Sequence, residues 1–321
     1  MARVLTITLN PALDLSVKTS AIELGAVNRS DESHLEPAGK GINLGRVLRR
    51  LGHDVVVSGL IGADNISSFE RLFEHEGLDD QFVRVPGQSR TNIKLAESSG
   101  RVTELNGISF PTPEDALERL QLRLTDLTAE CDAVVIAGSL PRGFEPDTLA
   151  ELVRRCLETG RPVWLDTSAE ALTAGVQARP TGVKPNEQEL AEWAHRPLVT
   201  LEDQVDAGRQ LQQSGIAHVV ISRGAGGVLW LNPHRDLLAQ PPQVPVVSTV
   251  CAGDTLLAGI LHGELSGLDE RDTLRLATAL SAECVRHVGV GDPAANDFQQ
   301  LQQQTRVIPW PEADASGEVN A

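Results

Sequence analysis

Short runs of aliphatic and β-branched residues alternate with longer amphipathic segments along most of this chain, and that alternation constrains its fold more than any other feature. The first run, Val4-Leu5-Thr6-Ile7-Thr8-Leu9, places apolar residues at every second position and predicts a strand. Behind it the spacing predicts helix 42–51, strand 54–60, helix 66–76, strand 132–137, helix 146–158 and strand 162–166. The series continues with strand 217–222 and helices near 254–265 and 270–286. Strands joined through helices run parallel and need cover on both faces, so the expected class is α/β with a mostly parallel sheet. Two stretches break the pattern, residues 12–36 and 81–108. In the second, Thr91-Asn92-Ile93-Lys94-Leu95-Ala96 and Arg101-Val102-Thr103-Glu104 read as short strands around Ser98-Ser99-Gly100. These interruptions predict a small accessory sheet, a lid formed by about 12–36 and 88–108, on a single domain spanning 1–310. Residues 311–321 are polar and acidic and predict a loose tail.

Charge and cysteine usage exclude several classes of function. A formal charge of −16 argues against a nucleic-acid surface, which needs a basic stripe to displace counterions. An anionic ligand would have to be captured by a few local cations. Aromatic residues are only 3% of the chain, with no Tyr, so aliphatic packing must supply most of the core. Cys131, Cys156, Cys251 and Cys284 lack the paired spacing of a zinc site or a small disulfide scaffold; free thiols suggest a cytoplasmic protein. No apolar run is long enough to span a membrane, and the N-terminus leads directly into a strand, not a signal peptide.

Four segments carry candidate chemistry, each with a bland alternative. In Cys251-Ala252-Gly253-Asp254 a small-residue turn opens a helix, which aims unpaired N–H groups at one point and favours an anion there. Asp254 is placed to accept a proton from an attacking hydroxyl, or simply to cap the helix. Ser222-Arg223-Gly224-Ala225-Gly226-Gly227 lies between two strand-like runs, where it would let a backbone pass close to a phosphorylated or planar ligand or would form an ordinary hairpin. It is neither a Walker loop nor a dinucleotide fingerprint, and no Gly-rich turn follows the first strand. Lys184-Pro185-Asn186-Glu187-Gln188-Glu189 joins a strand to a helix: Asn186 and Glu189 make a capping box, or present an amide and a carboxylate to hydrated Mg²⁺. In the N-terminal half, Asp14 and Asn43 are suited to sugar hydroxyls, and Lys40, Arg90 and Lys94 to a phosphate. A turn, a helix entry and an exposed strand face are the respective alternatives.

Their order along the chain resembles the ribokinase-like PfkB family of carbohydrate kinases, over roughly residues 3–305. The resemblance rests on Ala38-Gly39-Lys40-Gly41-Ile42-Asn43 and Ala252-Gly253-Asp254, supported by Thr8-Leu9-Asn10-Pro11-Ala12-Leu13-Asp14, Arg90-Thr91-Asn92-Ile93-Lys94-Leu95, Gly138-Ser139-Leu140-Pro141 and Val183-Lys184-Pro185-Asn186. It implies a ribokinase-like fold and an ATP-dependent sugar-phosphate kinase. Asp254 would be the base, and the backbone of Cys251, Ala252, Gly253 and Asp254 the anion hole for the γ-phosphoryl group. ATP would lie against residues 222–227, Lys184 and Asn186, with Asn186 and Glu189 organising Mg²⁺ through water, since few protein atoms touch such an ion. Asp14, Gly39, Asn43 and Ser139 match positions that line the sugar site, with Lys40, Arg90 and Lys94 for the substrate's own phosphate. The implied substrate is fructose 1-phosphate, phosphorylated at its 6-hydroxyl; fructose 6-phosphate and tagatose 6-phosphate are the alternatives within the family. A non-catalytic sugar-phosphate sensor on the same fold is the alternative from another class. A lid sheet with exposed edges suggests a homodimer through the lid. Two residues depart from the family pattern. Cys251 replaces the first Gly of Gly-Ala-Gly, where its Cβ restricts the backbone and its thiol, at a helix N-terminus, is expected to have a lowered pKa. Arg223 stands where an apolar residue is usual.

Overall fold

The computed structural model describes residues 1–311; the segment from 312 to 321, and with it nearly all of the expected acidic tail, lies outside the described residues. In chain order the first elements are β1 (Arg3–Thr8), β2 (Ala12–Thr19), β3 (Glu32–Ala38), α1 (Lys40–Arg50), β4 (Asp54–Gly62), α2 (Ser67–Glu76), β5 (Asp79–Asp80) and β6 (Val83–Val85). Next come β7 (Arg90–Glu97), β8 (Val102–Leu105), α3 (Glu114–Ala129), β9 (Ala133–Ala137), α4 (Pro146–Glu158), β10 (Val163–Asp166), α5 (Ala169–Gln177) and β11 (Gly182–Val183). The chain continues with α6 (Glu187–Trp193), α7 (Leu201–Gln213), β12 (His218–Ser222), β13 (Val228–Leu231), β14 (Leu237–Gln240), α8 (Ala252–Ser266), α9 (Glu270–Cys284), α10 (Phe298–Gln304) and β15 (Arg306–Pro309).

The central sheet has the order β15-β14-β13-β12-β11-β10-β9-β1-β4-β5, with β6 also paired to β4. Pairing is parallel from β12 through β11, β10, β9, β1 and β4 to β5; only the β12–β13, β13–β14 and β14–β15 pairs are antiparallel. This is the mostly parallel sheet that the strand-helix alternation predicts, and the ribokinase-like fold that the resemblance implies. One boundary needs correcting. Residues 79–80 and 83–85 pair with β4 and belong to the central sheet, because Val83 and Val85 are buried against it in register with Leu60 and Gly62. The second break in the pattern therefore starts at Arg90 and not at residue 81.

Alternate residues of each strand feed two separate apolar layers, as the pleat requires. On one face, Leu5, Ile7, Val134 and Ile136 pack with Leu120 and Leu124 of α3, Leu149 and Val153 of α4, and Leu211 of α7. On the other, Val4, Val57, Val135 and Ala137 meet Ile42 and Leu48 of α1, Phe69 and Phe73 of α2, and the apolar surfaces of α8 and α9. Helix α8 is buried almost all round: Leu256, Leu257, Ala258, Ile260 and Leu261 are at most 1% exposed, so its position is set by packing on both sides. A second, four-stranded sheet of order β3-β2-β7-β8 stands apart from the first. Its β2–β3 and β7–β8 pairs are antiparallel and its central β2–β7 pair is parallel. It is joined to the main body at Asn10, at the start of α1 and at Arg90.

Candidate active site

In an open parallel sheet the strands deliver side chains to one edge, at their carboxyl ends, where loops and helix N-termini leave a crevice. Here Asn10 follows β1, Ser139 follows β9, Asp166 ends β10, Lys184 and Asn186 follow β11, and Ser222 ends β12. Over these ends, between the two sheets, lies a cleft of about 890 Å³. Most of the expected site residues line it: Asp14, Gly39, Lys40, Asn43, Arg90, Lys184, Asn186, Glu189, Ser222, Gly224, Ala225, Gly227, and the whole run from Cys251 to Asp254. Arg223, Gly226, Lys94 and Ser139 do not form its wall. Arg223 turns outward, donating to Gln204 Oε1 (2.8 Å) and to the Gly226 carbonyl (2.9 Å), so its bulk buttresses the loop from behind. Lys94 pairs with Asp14 at 3.2 Å, and the same carboxylate accepts from Asn92 at 3.0 Å.

Asp254 occupies the first turn of α8 and is 6% exposed. Asn43 donates its amide to Asp254 Oδ2 at 2.9 Å, which leaves Oδ1 without a protein partner among the described contacts. Burial pushes the carboxyl up to about 6; Lys40 pulls it back down, and the nearby Asp166 adds to the rise. Such a group is ionised at neutral pH yet basic enough to take a proton, which suits a general base. Asp166, which the motifs did not single out, is 1% exposed and bridges two cations: Lys40 Nζ lies 2.9 Å from Oδ1 and Lys184 Nζ 3.2 Å from Oδ2. Burial alone would raise its carboxyl, but Lys184 and Lys40 outweigh it and hold the group below the usual carboxylate range. Burial would likewise depress Lys40, and Asp166, Asp254 and Glu189 together keep its ammonium charged. The signal in the sequence was an acid closing a wholly apolar strand, Val163-Trp164-Leu165-Asp166.

Lys40 therefore keeps different company from Arg90, with which the motif reading grouped it. Its partners are Asp166 and, at 3.8 Å, Glu189. Arg90 instead donates to Ser139 Oγ at 3.2 Å, while its buried Nε has no partner among the described residues and burial depresses the guanidinium. An incompletely solvated, under-satisfied cation of this kind is a ready anion site. Asn186 and Glu189 do form a capping box on α6, with Asn186 Oδ1 accepting from the Glu189 amide (2.8 Å) and Glu189 Oε2 accepting from the Asn186 amide (2.9 Å). Oε1 is left facing Lys40, so one side chain both caps α6 and lines the cleft. Among the described residues no group of three or more His, Cys, Asp or Glu surrounds a metal position.

The glycine loop is built for close approach. Gly227 has φ +94°, and a Cβ there would lie 1.9 Å from the Ala239 carbonyl oxygen, so no other residue fits. Asn186 forms a bridge to Ser222, whose amide donates to the Pro185 carbonyl at 3.1 Å; the loop and the α6 entry are thus one unit. At Gly253 a Cβ would lie 3.2 Å from Lys184 Nζ, which shows how near that cation sits to the α8 N-terminus.

Cys251 holds a left-handed backbone, φ +66°, immediately before α8. The restriction expected of its Cβ is real, since a non-glycine residue in this region carries strain of about 1–2 kcal/mol. The expected lowered pKa is not found: burial, reinforced by the neighbouring Asp254 carboxylate, pushes the thiol far up, outweighing the helix end. Burial also pushes Cys131, Cys156 and Cys284 up to about 11. All four thiols should then resist a disulfide reagent such as Ellman's at pH 7.5 in the native protein and react together once it is unfolded in guanidinium. Rapid stoichiometric labelling of native Cys251 would contradict this environment.

Residues 6–297 match the pfkB family of carbohydrate kinases. The 1-phosphofructokinase of Vibrio cholerae is 43% identical over 305 residues, 95% of this chain and 96% of that protein. The 1-phosphofructokinase of Escherichia coli K12 is 43% identical over 289 residues, 90% of this chain and 93% of that protein. Among solved structures, phosphofructokinase-2 from Escherichia coli in complex with potassium superposes with a TM-score of 0.86 at 26% identity, covering 94% of this chain and 99% of that one.

Proposed function

The chain belongs to the pfkB family of carbohydrate kinases, and we propose that it transfers the γ-phosphoryl group of ATP to the 6-hydroxyl of fructose 1-phosphate, giving fructose 1,6-bisphosphate and ADP. Asp254 carries the proposal: a buried carboxylate held by Asn43, with one oxygen free, at the N-terminus of the helix where a phosphoryl group would sit. As the 6-hydroxyl oxygen attacks phosphorus, its proton passes to Asp254 Oδ1 and the bond to the β-phosphate oxygen breaks. Backbone N–H groups of the α8 entry, with Lys184 and Lys40, meet the charge that develops on the transferred group. The ATP moiety lies against Ser222 and Gly224 to Gly227. Asp14, Gly39 and Asn43 face the sugar, and Arg90 with Ser139 takes the phosphate already present. That remote phosphate supplies binding energy that aligns the 6-hydroxyl with the base.

The oxygen donors Asn186 and Glu189 fit Mg²⁺, a hard cation that keeps several waters and leans on substrate phosphates. When bound, it would neutralise phosphate charge. The four-stranded sheet contributes Asp14 and Arg90 and acts as a lid that excludes water from the acceptor. Leu35, Val102 and Leu105 on that sheet are 48%, 58% and 55% exposed, which supports pairing of two copies through the lid. No helix among the described residues is long and apolar enough to cross a membrane. Free thiols and a need for ATP both suit a cytoplasmic location.

Four ketose substrates tested with MgATP decide the substrate: fructose 1-phosphate should give the highest kcat/KM, ahead of fructose 6-phosphate, tagatose 6-phosphate and fructose. Preference for either 6-phosphate would reassign the substrate, and ADP release with none would favour a sensor. With the preferred substrate, kcat/KM should fall about tenfold per pH unit below about 6 as Asp254 is protonated. Asp254→Asn should lose turnover by roughly 10²- to 10⁴-fold. The same variant should be more stable, because a carboxyl raised from 3.8 to about 6 costs the native state up to ~3 kcal/mol once both states are ionised at neutral pH. Unfolding in urea measures this, and an unchanged or lower midpoint would remove the strain assigned to the base. Light scattering reads the pairing directly, as twice the chain mass or as a monomer.

A further inference from the structure

Asn10 lies at the end of β1, is 7% exposed and has no part in the transfer described above. Its amide nitrogen makes two bonds, donating to Ser139 Oγ at 3.1 Å and to the Leu140 carbonyl oxygen at 2.9 Å. A carbonyl oxygen only accepts, so the NH₂ end of Asn10 must face this loop and the orientation of the amide is fixed. Ser139 Oγ also receives the Arg90 Nη2 donor at 3.2 Å. Neither an amide NH₂ nor a guanidinium can accept a hydrogen bond, so both lone pairs of Ser139 Oγ are occupied by donors. Its single O–H proton is thereby forced away from Asn10 and Arg90. The same loop is tied from its other side, where the Gly138 amide donates to the Asp166 carbonyl at 2.9 Å and Thr167 Oγ1 donates to the Gly138 carbonyl at 2.8 Å. The donors from Asn10 and Arg90 thus fix the direction of the Ser139 hydroxyl proton.

We infer that Asn10 is a positioning residue for substrate recognition, which orients the Ser139 hydroxyl as an obligate donor beside Arg90 so that the pair grips the phosphate already carried by the sugar. A pre-oriented O–H next to an under-satisfied guanidinium selects an acceptor-only, anionic oxygen over a sugar hydroxyl, which would need to donate as well. The orphaned Arg90 Nε is the second observation that points to an anion at this place. Asn10 Oδ1 is also buried without a partner, so the residue is not optimised for stability alone and its retained amide serves the loop it holds.

The inference rests on a phosphorylated sugar being the substrate, and the experiment separates the two ideas. Wild type is first assayed on the phosphorylated ketoses, and the best of them is used for a cycle of Asn10→Ala, Ser139→Ala and the double variant. Asn10→Ala should raise KM for the sugar phosphate about tenfold or more, with kcat and KM for ATP nearly unchanged. In the Ser139→Ala background the same change should add less than about twofold, since Asn10 acts through that hydroxyl. Multiplicative losses in the double variant would overturn the inference while leaving the substrate intact. So would a uniform fall in kcat, KM for ATP and thermal midpoint, which marks a purely structural residue. If Asn10→Ala does not fold, the near-isosteric Asn10→Asp replaces it: its carboxylate captures the Ser139 proton, and a KM no higher than wild type would overturn the assignment. Turnover of no phosphorylated sugar by wild type would remove both the proposed function and this inference.

Discussion

A fully buried carboxylate at the end of the central strand β10 organises everything above the sheet. Asp166 cannot stay ionised at that depth alone, and the chain meets it with two lysines from different elements, Lys40 at the start of α1 and Lys184 after β11. A buried ion pair is weak evidence for stability, because desolvation offsets most of its attraction. Its effect is positional. Two long cationic side chains, which would otherwise sample many rotamers, are held at the mouth of the helix that carries Asp254. Glu189 extends the set to the α6 cap, and that cap is bridged to the glycine loop. One buried charge thus fixes the relative placement of four loops that are far apart in sequence.

Helix α8 has the opposite character and depends on the same arrangement. Its middle, from Leu256 to Leu261, is apolar and buried on every side, so packing by α1, α9 and the sheet sets where Asp254 falls. The carboxylate is carried into the interior by aliphatic side chains and not by partners of its own. Among the described residues only Asn43 hydrogen-bonds it, and burial raises the carboxyl to about 6. The left-handed Cys251 ahead of it adds backbone strain at the same point. Strain and desolvation concentrated at one carboxylate, within an otherwise well-packed core, are what a site shaped for function and not for stability looks like.

The layered fold was legible because its strands are fully apolar and bounded by helical periodicity, as in Ala133–Ala137 and Val163–Asp166. Helix α3 was harder: its buried positions Ala116, Leu120, Leu124 and Thr128 recur every four residues and make a narrow stripe on a polar segment. The two-residue strand β5 has no pattern to read at all, since two residues cannot show a period. Within the site, motifs found Asp254, Asn43, Asn186 and the glycine loop because each pairs a turn with a polar side chain. Asp166 was missed since an acid at a strand end is a common turn residue until its partners are known. Asn10 was read within a motif but given no role of its own, because its two bonds reach about 130 residues along the chain. Lys40 was found with Arg90 as a cation for a phosphate, but its partners Asp166 and Glu189 were not foreseen, because spacing along a sequence cannot tell which acids a flexible cation will face. Cys251 was read from the helix end alone, and the burial that decides its chemistry is a tertiary property.

A chain carrying −16 charges that handles two anionic substrates poses an apparent conflict. Distance resolves it. Surface acids act through water and salt, and their field fades over about 8 Å at physiological ionic strength. Lys40, Lys184, Arg90 and the α8 N-terminus instead line one cleft, at short range from anything bound there. Lys184 and Asp166 are almost wholly buried, and the orphaned Nε of Arg90 has no water-exposed surface to speak of. The long-range repulsion therefore falls on approach, while the short-range attraction is realised only after the phosphates are seated and water is displaced. The cations of the cleft are also held on different terms, since Lys40 is paired with Asp166 while the buried Nε of Arg90 lacks a partner among the described residues.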